Sequence, residues 1–298
     1  MTDSTAVMPV FGRLATAMVT PFNEAGDLDL DAARRLASHL VDEQANDSLV
    51  INGTTGESPT TSDAEKRHLL EAVVAEVGDR AQVLAGVGTF STRHTIELAR
   101  QAADAGVDGL LVVTPYYSRP PQDALAAHFL AVADATPVPI MLYDIPHRTG
   151  TPIDSATLIE VAAHPNIVAV KDAKGATVAS AQVMAQTSLA YYAGDDAMTL
   201  PLMAVGGVGV VGTSTHFTGS RAKPMIEAFV EGRIDEAMSA YRELLDVFTG
   251  VFALQGCVMV KAALNARGMS VGPVRPPLLD ATPAQLAPFL ALLDQLDA

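Results

Sequence analysis

Cysteine is all but missing from this 298-residue chain: Cys257 stands alone. A single thiol closes no disulfide within the chain and leaves no cysteine-based metal site. The seven histidines, at 39, 68, 94, 128, 147, 164 and 216, form no HxxxH or comparable ligand pair, so no metal is expected either. Tryptophan is absent, which removes one common interface anchor and decides nothing more. Positive charge is scarce, with 19 Lys and Arg against 34 Asp and Glu and a formal net charge of −15. Nucleic-acid binding needs a basic stripe to neutralise phosphates, so that class of partner is excluded. No apolar run is long enough for a membrane span; GGVGVVGTSTHFTG is broken by glycines and hydroxyls. The N-terminus, MTDSTAVMPV, has neither a basic n-region nor an apolar h-region, and a cytoplasmic protein is expected.

What is present is alternation. Short apolar, β-rich runs lie at 15–19, 48–52, 82–87, 109–114, 139–144, 166–171, 190–194 and 207–212. Each suits a parallel strand buried on both faces. Longer alanine-rich amphipathic stretches separate most of them, including 31–44, 62–78, 92–106 and 121–135. Ser62 and Glu65 open one of these at capping-box spacing, and Gly106 closes another where a C-cap belongs. Eight such units predict an α/β fold of the closed kind, a (β/α)8 TIM barrel, rather than an open doubly wound sheet. The open sheet would want a glycine-rich phosphate turn after the first strand, and MVTPFNEAGD is not one. The pattern assigns residues 1–222 to a catalytic barrel and 223–298 to a C-terminal helical extension.

In such a barrel the chemistry sits at the C-terminal strand ends. Of the five lysines, at 66, 171, 174, 223 and 261, only Lys171 ends an apolar strand, NIVAVK. Burial there would lower its pKa and supply a free amine able to attack a carbonyl. Position alone leaves a second reading open, a rim ion pair with Asp172. The turn GTTGES (53–58) offers the hydroxyls of Thr54 and Thr55 and clustered N–H groups, fit to hold a carboxylate or merely to cap a helix. Tyr143 and the Tyr116–Tyr117 pair offer phenols for proton transfer, or aromatic plugs over the barrel. Arg148 offers a fork for a carboxylate, or a rim salt bridge. GGVGV (206–210) enters a strand instead of opening a helix, so close backbone packing accounts for it better than phosphate binding. Cys257 reads as a core residue.

Taken together, GTTGES (53–58), VTPYYSRPP (113–121), LYDIPHRTG (142–150) and VAVKDAKG (168–175) resemble the dihydrodipicolinate synthase family of pyruvate-dependent class I aldolases. AMVTPF (17–22), AGDDAM (193–198) and GGVGVVG (206–212) fall in the order that resemblance requires. It implies that Lys171 forms an imine with pyruvate and that Tyr143 donates and accepts protons. It also implies a relay through Thr54 and a Tyr117 delivered from a neighbouring subunit, with Thr55 and the backbone at Val211 holding the pyruvyl group. Arg148 would bind the carboxylate of the second substrate, L-aspartate 4-semialdehyde. No cofactor is implied beyond the covalent imine, and the implied assembly is a homotetramer, a dimer of dimers. The alternative within the superfamily is a pyruvate aldolase or lyase acting on a sugar acid.

The sequence departs from lysine-inhibited members of this family at one cluster. Where those carry histidine, asparagine and glutamate side chains for the effector, this chain aligns Asp63, Lys66, Phe90 and His94, with Pro59 after Ser58 and Tyr116 retained. Weak or absent feedback by lysine is therefore expected.

Overall fold

A computed structural model of the chain describes residues 7–297. Eight parallel strands close on themselves in sequence order: β1 (Leu14–Ala17), β2 (Ser48–Ile51), β3 (Gln82–Gly86), β4 (Gly109–Val113), β5 (Ile140–Asp144), β6 (Ile167–Asp172), β7 (Ala190–Ala193) and β8 (Gly209–Gly212). This is the (β/α)8 barrel that the alternation predicts. The expected strand ranges differ from these by one or two residues at most of their ends.

Alternation along each strand sorts the side chains into two cores. Inward-facing residues, among them Ala15, Val50, Leu84, Leu111, Met141 and Ala169, fill the barrel itself. Outward-facing ones, such as Leu14, Leu49, Val83, Leu110 and Leu142, pack under the surrounding helices. Each fully buried aliphatic side chain of this layer contributes ~1.5–3 kcal/mol relative to exposure. Phe11 lies buried among the inward-facing side chains; its N–H donates to the Tyr192 hydroxyl at 3.0 Å. Tyr192 is thereby committed to the segment before β1.

Helices follow the strands as the periodicity requires. The helix Asp63–Val77 opens on the full capping box, with Ser62 accepting from the Glu65 N–H and Glu65 reaching back to Ser62. The eighth barrel helix, Thr215–Val230, runs unbroken through the 222/223 point at which the sequence pattern divides the chain. Beyond it lie the helices Ile234–Gly250, Gly256–Ala266 and Pro283–Asp297, whose Val247, Phe248, Val260 and Phe289 belong to the same outer core as the barrel helices. No helix among the described residues is long and apolar enough to cross a membrane.

Candidate active site

Lys171 lies on β6 with its side chain in the barrel, 4% exposed. Its register partner on β5 is Tyr143, and the Lys171 Nζ stands 4.6 Å from the centre of that ring. Burial pulls the lysine ammonium down to about 8; the nearby Asp196 charge opposes the fall and that of Arg148 adds to it. The rim ion pair with Asp172 does not form, because adjacent residues of a strand face opposite sides. Asp172 instead accepts from Ser180 Oγ and from the Lys174 N–H, outside the barrel. Lys174 pairs with Asp144 at 3.0 Å on that same outer side, stapling the two strands that carry Tyr143 and Lys171.

Lys171 opens into a cavity of about 460 Å³, shared with Thr55, Tyr143, Arg148, Thr213 and Gln255. A second cavity, of about 380 Å³, holds Tyr116 and Tyr117. Thr54, Tyr143, Ile145 and Arg148 line both, so they form the wall between them. Burial pushes the Tyr143 phenol up to about 12, with the Arg148 charge and a hydrogen bond to Thr54 acting the other way. The phenol is therefore a proton donor throughout the range in which Lys171 titrates. Among the described residues Arg148 enters no ion pair, which leaves its guanidinium for a ligand at the rim. Tyr117 is 95% exposed, with φ at +73°, and stands in solvent at the edge of the second cavity. Val211 lies fully buried within β8 beside Ala15 and has no surface in either cavity; two residues on, Thr213 does, with its hydroxyl 3.5 Å from that of Thr55.

The order of these strand ends matches one known family throughout. The sequence model of the Dihydrodipicolinate synthetase family matches residues 10–296. The chain belongs to that family. A relative named 4-hydroxy-tetrahydrodipicolinate synthase, from Cutibacterium acnes, is 64% identical over 96% of this chain and 98% of its own length. Another of the same name, from Acidothermus cellulolyticus, is 61% identical over 96% of this chain and 92% of its own. The crystal structure of DHDPS from Cyanidioschyzon merolae with lysine bound superposes with a TM-score of 0.94 at 41% identity, over 97% of this chain and 99% of that one.

Among the strand ends of this chain, sequence reasoning passed over Asp196, which lies in AGDDAM and is 1% exposed. It accepts from the N–H groups of Thr213 and Ser214 and, at 2.7 Å, from the Ser214 hydroxyl. Gly212 makes this approach possible, since a Cβ there would lie 2.6 Å from the Asp196 carboxylate. The available signal was an acidic pair directly after a buried strand. Lys66, set among the charged residues of DAEKRH, is buried, with its Nζ donating to the Thr61 carbonyl at 2.5 Å.

Proposed function

We propose that this chain is a 4-hydroxy-tetrahydrodipicolinate synthase, condensing pyruvate with L-aspartate 4-semialdehyde on an imine at Lys171. The observation that carries this is a buried lysine of lowered pKa against the ring of a protonated tyrosine, with an arginine over the same cavity that enters no ion pair among the described residues. The neutral amine attacks the ketone of pyruvate, and loss of water gives the imine. Loss of a methyl proton then stores that carbon as an enamine nucleophile without a free carbanion. The enamine adds to the aldehyde, and the aldehyde's own amine displaces Lys171 as the ring closes. Each stage moves a proton, and Tyr143 backed by Thr54 is placed to carry it. Tyr117, standing in solvent on its own subunit, suits delivery to a neighbour's site in a homotetramer of paired dimers. Thr55 and Thr213, whose hydroxyls face the Lys171 cavity, are assigned to the pyruvyl group in place of the backbone at Val211, which has no surface there.

Borohydride reduction in the presence of pyruvate, followed by mass spectrometry, tests the reading: the adduct is expected on Lys171, and its absence would reject it. Arg148 tests the second substrate. Arg148→Ala is expected to lower kcat/KM for the aldehyde by ~10- to 100-fold, the worth of a charge-assisted bidentate contact, and to leave pyruvate trapping intact. Parental aldehyde kinetics in that variant, or preferred turnover of a sugar acid such as N-acetylneuraminate, would favour the lyase alternative.

Lysine feedback is expected to be weak or absent. The Asp63 carboxylate is 2.9 Å from His94 Nε2 and 4.0 Å from the Lys66 ammonium, while Phe90 packs edge-on against Tyr116 at 5.6 Å. An incoming ammonium meets a carboxylate already partnered and a like charge beside it. A titration of activity showing strong inhibition at sub-millimolar lysine would contradict this.

A further inference from the structure

Glu57 closes the turn that carries Thr54 and Thr55, but it does not line either cavity at the mouth. Its backbone sits at φ 55° and ψ 36°, the left-handed region that residues other than glycine rarely hold. Such a conformation persists where the surroundings over-determine it. Here they do so from the far end of the chain. One Glu57 carboxylate oxygen lies 2.7 Å from Lys261 Nζ, and both side chains are 1% exposed. The other accepts from the Arg275 backbone N–H at 2.8 Å.

Around this pair the C-terminal segment is fastened to the mouth at several points. Lys261 Nζ also donates to the Pro273 carbonyl at 2.7 Å. Phe22, from the loop after β1, lies between two cations, with Lys261 Nζ at 4.1 Å and the Arg275 guanidinium at 4.0 Å from its ring centre. Arg275 donates to the Thr60 carbonyl at 2.8 Å and pairs with Glu65, the capping-box residue of the next helix. Gly272, at φ +71°, presses so close that a Cβ would sit 1.7 Å from the Phe22 carbonyl oxygen. On the other side of the turn, the Thr20 hydroxyl donates to the Gly56 carbonyl at 2.6 Å.

Stability alone does not call for a buried ion pair here. Taking two charges out of water offsets most of their attraction, and a well-packed apolar pair of similar volume is often as stable. What a charge pair adds is a fixed geometry, and the fixed object is the turn bearing two hydroxyls of the site. We infer that Glu57 and Lys261 are positioning residues of the reaction: the helix Gly256–Ala266, through Lys261, holds the Thr54–Thr55 turn in register with Tyr143 and Lys171. This rests on the imine reading proposed above. Neither residue touches substrate, and each acts through the turn.

The test is the double variant Glu57→Gln, Lys261→Met, which removes both charges together and leaves neither buried alone. Its melting temperature is expected to stay within about 5 °C of the parent. Displacing the turn by about 1 Å is expected to cut kcat ~100-fold and raise the pyruvate KM ~10-fold. The aldehyde KM is expected to hold, because Arg148 sits on a different loop. A folded double variant with parental kcat and pyruvate KM overturns the inference, as does a loss confined to the aldehyde KM. Should the double variant not fold, Lys261→Arg and Lys261→Met decide: the first keeps the charge though not the shape and is expected to lose less of kcat and of pyruvate affinity than the second, and parental constants in the second overturn the inference. Borohydride trapping on the parent is run alongside. A parent that fails to trap pyruvate refutes the functional reading itself, whereas a trapping parent with an unaffected double variant refutes only the positioning role.

Discussion

Replacing Lys171 with methionine is expected to abolish borohydride trapping of pyruvate and to lower kcat by on the order of 10⁴-fold or more, because the nucleophile itself is gone. The size of that effect follows from where the amine sits. A lysine titrating near its ordinary 10.5 offers only about one free amine in three thousand at pH 7. Held at about 8 by burial, Lys171 offers about one in ten at pH 7 and about nine in ten at pH 9. The sign follows directly: the imine-forming species is the neutral one, so the rate of trapping rises with pH through about 8 and levels above it. Methionine fills similar volume without introducing a charge, so the variant is expected to fold and melt like the parent. A Lys171→Met protein that still forms a pyruvate adduct at another lysine would overturn the assignment, and Lys174 is the nearest alternative in sequence. Lys174 is already engaged with Asp144, which holds it outside the barrel.

The contrast between these two lysines shows what the sequence could and could not display. Strand runs such as GLLVVT and PIMLYD are legible because a parallel strand buried on both faces is apolar throughout, and the barrel follows from their count and spacing. Lys171 is legible for the same reason, as a charge at the end of such a run. Its freedom from Asp172 emerges only when β6 is seen to continue through Asp172, which sends the two neighbours to opposite faces. The partners of the site's supports are less accessible still. Glu57 and Lys261 meet through folding alone, from opposite ends of the chain, and nothing local ties them. The one local hint is a lysine set within CVMVKAAL, where a solvated charge does not belong. Asp196 and Thr213 likewise find each other across two strand-end loops. Chemistry carried on strand ends is therefore readable in one dimension, while the contacts that orient it are long-range and are not.

Tyr143→Phe is expected to reduce kcat ~100- to 1,000-fold, the range lost when a positioned acid–base group is removed. Burial keeps this phenol protonated up to about 12, so at working pH it begins each cycle as a donor and must recover its proton from the relay. The variant keeps the ring against Lys171 and loses only the hydroxyl, so the amine's burial and its pyruvate affinity are expected to persist. Thr54 is partly exposed and can turn to water, which limits the expected stability change to ~1 kcal/mol. Imine still forms, but slowly, because carbinolamine dehydration and enamine formation both wait for a proton from solvent. The two variants thus separate two roles at one pair of register partners: Lys171→Met leaves no adduct, and Tyr143→Phe leaves an adduct that accumulates slowly and turns over slowly. Single-turnover kinetics with pyruvate alone, followed by addition of the aldehyde, distinguish them. Turnover within about threefold of the parent in Tyr143→Phe would remove the phenol from the relay and shift the proton traffic to Thr54 and bound water.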